Sequence, residues 1–337
     1  MKTHRICLLP GDGIGPEVIA EAKRLLASLP VDIEWSEGAI GFGAYQRFGA
    51  PLPDETIAAV RAADATLFGA VTTPPDIPNY SSPIIRQRKT FDLYANIRPC
   101  RSIANPVSRP GIDMVIVREN TEDLYVGIER LEENGEKAIG EMVITRKGSE
   151  RVARAAFELA RKRGYNKVTI VHKANVLRQT SGLFRRTALE VARDYPEIGA
   201  EEMLVDSCAM ELIRAPEQFQ VIVTTNLFGD ILSDEASMLV GGLGLACSGN
   251  IGVGAAVFEP VHGSAPKLVG TRSANPMATF LSAAMMLEYL GEDGLAERLK
   301  KAVDEAIRSG QLTADLGGTL KTGAVTDCVM EILRRQG

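Results

Sequence analysis

The chain has 337 residues, 45% apolar and 24% charged, which fits a globular protein of about two domains and excludes a fibrous or disordered one. Its 38 basic and 43 acidic residues leave a net charge of −5, the wrong sign for a nucleic-acid protein. No run approaches the roughly 18 apolar residues of a spanning helix, and five scattered cysteines with only three histidines exclude a disulfide framework and a zinc site, so any metal is expected on oxygen ligands.

In chain order, residues 5–9 read as a strand, entered without the apolar segment of a signal peptide, so a cytoplasmic protein is expected. Residues 16–29 read as a helix with Pro16 at its start. Residues 65–71 and 113–118 are apolar runs of strand length, and 150–163 carry helical periodicity. Strands follow at 167–172 and 219–224, the second leading into a helix through 230–239. The last third is helical, over 275–290, 295–308 and 324–335. Strands alternating with helices predict an α/β protein with at least a partly parallel sheet. Glycine concentrates at 11–15 and 241–254, and the second run is expected to cross between domains.

The first glycine cluster, Gly11-Asp12-Gly13-Ile14-Gly15, follows a strand and precedes a helix, but its spacing is G-x-G-x-G and Asp12 opposes a pyrophosphate. It is not a Rossmann fingerprint, and a tight turn remains the plainer reading. Asp230 and Asp234 stand four apart on a predicted helix and share a face. They are either a solvated pair near the positive end of the helix dipole or two carboxylates for Mg²⁺ or Mn²⁺. Arg88, Arg98 and Arg118 stand in apolar settings, Arg118 directly after Met114-Val115-Ile116-Val117. They are either structural ion-pair partners or a clamp for a polycarboxylate.

Five strings go further: 88–96 (Arg88 to Asn96), 117–122 (Val117-Arg118-Glu119-Asn120-Thr121-Glu122), His172-Lys173-Ala174-Asn175, 226–234 (Asn226 to Asp234) and 258–266 (Phe258 to Pro266). Together they resemble the β-decarboxylating isocitrate, isopropylmalate and homoisocitrate dehydrogenases, over residues 11 to about 318. The resemblance implies two α/β domains sharing a central mixed sheet, unrelated to Rossmann topology. The expected large, cofactor-binding domain is 1–99 plus 244–337. The expected small domain, 100–243, carries the dimer interface and the metal ligands. The family's residues fall on Arg88, Arg98 and Arg118 as clamps on the malate moiety. Asp230 and Asp234, with Asp206 from a second subunit, match the Mg²⁺ or Mn²⁺ ligands. Tyr125 and the second subunit's Lys173 match the proton-transfer residues. The implied assembly is a homodimer with shared active sites, with a tetramer open beyond it. A non-catalytic regulatory subunit is the reading from another class, but it requires gaps among these residues, and none is missing.

The resemblance also places Ser82, Ile84 and Ile85 against the variable group of the substrate. Ser82 fits isocitrate enzymes, but Ile84 replaces their Asn; Ile84 and Ile85 fit isopropylmalate enzymes, but Ser81 replaces their Glu. The stretch from Asn79 through Ser82-Pro83-Ile84, with 122–126 (Glu122 to Val126), looks most like homoisocitrate dehydrogenases. Homoisocitrate, with isocitrate beside it, is therefore the expected substrate, and 3-isopropylmalate the alternative. For NAD or NADP the matching positions are Thr73, Glu259, His262, Gly263, Ser264, Ala265, Lys267, Asn275 and Asp315. NAD enzymes resemble Asp-Ile after the Gly-Ser-Ala-Pro, and NADP enzymes Lys-Tyr; this chain has Lys267-Leu268. Residues 313–318 lack the Tyr and Arg of an NADP pocket. Use of both cofactors is expected.

Overall fold

The computed structural model describes residues 2–74, 76, 77 and 80–336, so Asn79 lies outside the described residues. The strands are β1 (Thr3–Gly11), β2 (Asp32–Glu37), β3 (Ala65–Ala70), β4 (Ala95–Arg101), β5 (Asp113–Glu119), β6 (Glu129–Glu132), β7 (Lys137–Gly140), β8 (Lys167–His172), β9 (Gly199–Leu204), β10 (Val221–Thr224), β11 (Cys247–Ile251) and β12 (Ala256–Pro260). The helices are α1 (Gly15–Leu26), α2 (Phe42–Phe48), α3 (Asp54–Ala62), α4 (Pro83–Thr90), α5 (Arg146–Arg163), α6 (Thr180–Ala192), α7 (Val205–Arg214), α8 (Asn226–Leu239), α9 (Met277–Tyr289), α10 (Asp293–Arg308) and α11 (Thr322–Arg335). Two compact units emerge: Met1–Phe91, Ser102–Pro110 and Val240–Gly337 form the first, and Asp92–Arg101 with Gly111–Leu239 the second. The expected cut after residue 99 falls inside β4, which pairs with β5 along its whole length, from Ala95 opposite Glu119 to Arg101 opposite Asp113.

In the first unit the strand order is β2-β1-β3-β12-β11, parallel except for the antiparallel β11–β12 pair. All six residues of β3 are buried, as a strand covered on both faces requires. Helix α1 opens with Pro16 in its first turn, where a missing N–H costs nothing, and faces the core with Val18, Ile19, Ala22, Leu25 and Leu26. It ends three residues before the predicted Leu29, where the Ser28 hydroxyl donates to the Leu25 carbonyl at 2.7 Å. Helix α9 is buried nearly all round, which matches its apolar composition.

In the second unit the order is β4-β5-β10-β8-β9, with only β4 antiparallel to its neighbour. Val115 and Val117 of β5, Ile170 of β8 and Val221 and Val223 of β10 pack with Phe157 and Phe184 in one core cluster. Helix α5 is capped by Thr145, whose hydroxyl accepts from the Gly148 N–H at 2.9 Å, and stops at Gly164 in the left-handed conformation (φ 69°). Strands β6 and β7 form a separate antiparallel hairpin. The parallel register sets Arg118 opposite Thr224, and Thr224 opposite Val171. The carboxyl ends of β5, β10 and β8 therefore deliver Arg118, Asn226 and Lys173 at one edge of the sheet, where open α/β sheets bind ligands. Among the described residues no helix is long and apolar enough to cross a membrane.

Candidate active site

The second unit gathers five of the predicted side chains, Arg98, Arg118, Tyr125, Asp230 and Asp234. Arg118 is 1% exposed, and its Nε donates to the Asn226 carbonyl at 2.9 Å and to Asn226 Oδ1 at 3.0 Å. Its Nη2 donates to the same Oδ1 at 2.6 Å, and its Nη1 pairs with Asp230 Oδ1. Arg98 on β4 donates from Nε to Asn96 Oδ1 and from Nη1 to Ser233 Oγ, each at 2.6 Å. Its fork also lies 3.3 Å from Asp230 and 3.4 Å from Asp234. The Tyr125 hydroxyl donates to Asp230 Oδ2 at 2.5 Å, with the Arg118 guanidinium 5.1 Å from its ring centre. Tyr125 rides a short 3₁₀ turn, Leu124–Val126, fixed by the wholly buried Asp123, which accepts from the Leu124 and Leu227 N–H groups at 2.8 and 2.9 Å. Asp123 holds a positive φ of 73°, a conformation its hydrogen bonds offset.

Two carboxylates one helical turn apart repel, and two guanidinium groups offset that repulsion. Burial, with the like charge of Asp230, pushes the Asp234 carboxyl up, while Arg98 and Arg118 pull it down. Both aspartates stay partly open to solvent. Such a set fits a hard divalent cation, which takes one or two protein carboxylates and completes its shell with water and substrate oxygens. Asp206, at the start of α7, does not join them within one chain. Among the described residues no three His, Cys, Asp or Glu side chains come together as a metal site. Asp206 instead pairs with Lys173, whose ammonium holds its carboxyl below the usual range. Lys173 follows β8, where His172 Nδ1 accepts from the Ala174 N–H at 3.1 Å and curls the chain. Burial pushes the His172 pKa down, against the neighbouring Glu202, which pulls it up.

The first unit holds the remaining candidates. Ser82, Ile84, Ile85 and Arg88 lie at the start and along the first two turns of α4, Ile84 and Arg88 one turn apart on a shared face. In the glycine loop at 11–15, Asp12 accepts from the Phe42, Gly43 and Thr72 N–H groups at 2.7, 2.8 and 2.9 Å. Gly13, at φ 63°, lies so close to Ser264 that a Cβ there would sit 2.1 Å from the Ser264 carbonyl. The Ile14 N–H donates to that carbonyl at 3.0 Å, and Thr72 Oγ1 donates to Ser264 Oγ at 2.7 Å. Asp12 thus braces the loop before Thr73 against the segment 262–265, where Ala265 adopts a positive φ of 40°.

Asn275 donates to Asp315 at 2.9 Å, and Gly244 leaves a hollow in front of them that a Cβ would fill, 2.3 Å from Asp315 Oδ2. His262 Nε2 is buried without a hydrogen-bond partner, and burial pushes the ring's pKa down. An orphaned ring nitrogen and an amide–carboxylate pair behind a glycine hollow fit a flat heterocycle with donors and acceptors on its rim. Glu259 is satisfied within the sheet by Asn250 at 2.7 Å, and Lys267 is exposed on a short turn, Pro266–Leu268. Asn96, Asp123, Asn226 and Ser233 escaped the sequence reading. All four lie inside strings that carry the family resemblance, but no role was read for them, since a polar residue beside a buried strand or an apolar helix face shows none by itself.

Comparison with known proteins agrees with this geometry. Residues 5–331 match the isocitrate/isopropylmalate dehydrogenase family. The chain is 52% identical over 332 residues to the isocitrate/homoisocitrate dehydrogenase of Thermus thermophilus, covering 98% of this chain and 99% of that one. It is 49% identical to the 3-isopropylmalate dehydrogenase of Methanothermobacter thermautotrophicus, covering 96% of each. The crystal structure of isocitrate dehydrogenase from Methylococcus capsulatus superposes with a TM-score of 0.94 at 43% identity, over 98% of this chain and 99% of that one.

Proposed function

The chain belongs to the isocitrate/isopropylmalate dehydrogenase family, as a decarboxylating dehydrogenase acting on a CH–OH group, and on that premise we propose that it oxidises and decarboxylates a threo-3-substituted malate, homoisocitrate first and isocitrate beside it. The observation that carries this reading is the cluster of Arg98, Arg118, Asp230, Asp234 and Tyr125, which offers fixed cations for carboxylates next to a carboxylate pair for a metal. Arg88, Arg98 and Arg118 clamp the malate carboxylates by charge-assisted hydrogen bonds. Asp230 and Asp234, with the partner's Asp206, would hold Mg²⁺ or Mn²⁺. The cation would supply Lewis-acid charge to the C2 hydroxyl and its neighbouring carboxylate, and NAD or NADP would accept the hydride from C2. The partner's Lys173, as the neutral amine, takes the hydroxyl proton through a water and becomes the ammonium. Loss of CO₂ from the resulting keto acid leaves an enolate, and the Tyr125 hydroxyl, held by Asp230, delivers a proton to its carbon to give the 2-oxo acid.

The reading includes a homodimer, which an exposed apolar face supports. Met210 and Ile213 on α7 and Ile231 and Met238 on α8 are each more than half exposed, an apolar face suited to a second copy. Asp206 lies on α7 and the Asp230–Asp234 pair on α8, so a two-fold pairing of these helices would carry one subunit's Asp206 and Lys173 toward the other's pair.

The Ser82-Pro83-Ile84 entry into α4 favours homoisocitrate, while Ile84 and Ile85, both half-buried, favour 3-isopropylmalate as the second reading. Lys267 favours the NADP phosphate and Asp315 suits either nucleotide, so both cofactors are used. The test is a panel of homoisocitrate, isocitrate and 3-isopropylmalate with Mg²⁺ and each cofactor. Homoisocitrate should give the highest kcat/KM, by about tenfold or more over isopropylmalate. A preference for isopropylmalate sinks the substrate assignment, and no reduced nicotinamide with any of the three sinks the enzyme reading.

A further inference from the structure

Arg118 is a buried cation, and a buried guanidinium needs its N–H groups engaged to keep one orientation. One residue engages an entire edge of it. Asn226 is 0% exposed, and its side-chain Oδ1 accepts from both Nε and Nη2 while its carbonyl accepts from Nε. Its own Nδ2 donates to the Glu122 carbonyl at 3.1 Å, which holds the amide with its oxygen toward the arginine. The plainer reading of an asparagine at a helix start is an N-cap. Here, however, the Leu227 N–H in that first turn is taken by Asp123, and the Asn226 side chain is spent on Arg118.

Gly229 is the second part of the same device. Glycine inside a helix is unfavourable by about 1 kcal/mol against alanine, so its presence needs a packing reason. A Cβ at Gly229 would lie 2.6 Å from Arg118 Cγ and 2.8 Å from Arg118 Cβ. The stem of Arg118 crosses α8 where that Cβ is missing.

We propose that Asn226 and Gly229 are positioning residues for Arg118: Asn226 fixes the plane of its guanidinium and Gly229 the path of its stem, so that the clamp is set before substrate arrives. Pre-set orientation lowers the ordering cost at binding. This rests on the reading of Arg118 as a substrate clamp, and the test separates the two. In the full-length enzyme, Asn226→Ala should lower kcat/KM for the malate substrate by about 30-fold through KM, as expected for a lost partner of a charged group, with the nicotinamide KM within about twofold of wild type.

Arg118→Ala should lose more, and the double variant Asn226→Ala/Arg118→Ala should be no worse than Arg118→Ala alone, because the second residue acts through the first. Gly229→Ala keeps every hydrogen-bonding group yet should raise the malate KM in the same way, and it decides the matter if Asn226→Ala does not fold. Losses that multiply in the double variant, or a rise in both KM values together, overturn the proposal. An impaired Arg118→Ala beside unimpaired Asn226→Ala and Gly229→Ala overturns it while leaving the clamp standing. An unchanged malate KM in Arg118→Ala removes the clamp and this proposal with it.

Discussion

The two units build their proposed sites from different materials. In the second, charged side chains at strand ends and on α8 do the work, each pinned by a buried neutral partner: Asn96 and Ser233 for Arg98, Asn226 for Arg118. In the first, backbone does most of it. Gly13 lies against Ser264, Ala265 turns with a positive φ, and one carboxylate, Asp12, gathers three N–H groups to brace those segments. Malates differ by charge and shape and call for rigid cations, whereas a long dinucleotide is followed by close backbone approach. It follows that substitutions in the charged cluster of the second unit should abolish chemistry, and those around the glycine loop and residues 262–275 of the first should change cofactor affinity or choice, while α4 of the first unit bears on the substrate.

The largest expected effect is at Asp230, which holds two arginines and Tyr125 as well as the proposed metal. Asp230→Asn should remove nearly all turnover while far-UV circular dichroism and cofactor binding stay intact. More than about a tenth of wild-type kcat remaining, a loss under ~1.4 kcal/mol, would show that Asp230 is no ligand. Next comes Lys267, where Lys267→Asp should move the NADP-to-NAD ratio of kcat/KM toward NAD by about tenfold, roughly 1.4 kcal/mol. An unchanged ratio means that this exposed lysine does not meet the 2′-phosphate.

The smallest effect tests the brace. Asp12→Ala orphans three loop N–H groups that solvent partly recovers, at a cost of about 1–2 kcal/mol in stability. Calorimetry should show a lower Tm, with a nicotinamide KM raised by about threefold and an unchanged malate KM. A change in the malate KM alone would erase the contrast between the units.

Sequence patterning exposed the parts of the fold that bury themselves without help. Strands β3, β5, β8 and β10 are short apolar runs, and α1 and α5 carry their periodicity in view, although α5 begins at Arg146, four residues before its expected start. Strand β9, Gly-Ala-Glu-Glu-Met-Leu, did not stand out, because it is an exposed edge strand that, among the described residues, pairs with β8 alone. Strand β2 is the corresponding edge of the first unit and was missed for the same reason. Strand β4 hides behind Arg98, Pro99 and Arg101 and owes its conformation to pairing with β5. The structure brings Arg98, Arg118, Tyr125, Asp230 and Asp234 together; the arginines and aspartates were legible because charges in apolar settings stand out, and Tyr125 only through the family resemblance. Asp123, Asn226 and Gly229 were not, since a polar or missing side chain acquires meaning only from what lies against it.

The central claim is that one chain carries half of each site, with Asp206 and Lys173 completing the Asp230–Asp234 pair of a second copy. Two inactive variants, Asp230→Asn and Lys173→Met, should be co-expressed and the mixed dimers assayed. Each mixed dimer pairs an intact aspartate pair from one subunit with an intact lysine from the other, so random mixing should restore about a quarter of wild-type kcat. Activity no higher than that of either variant alone would contradict a shared site and return Lys173 and Asp206 to the chain that carries them.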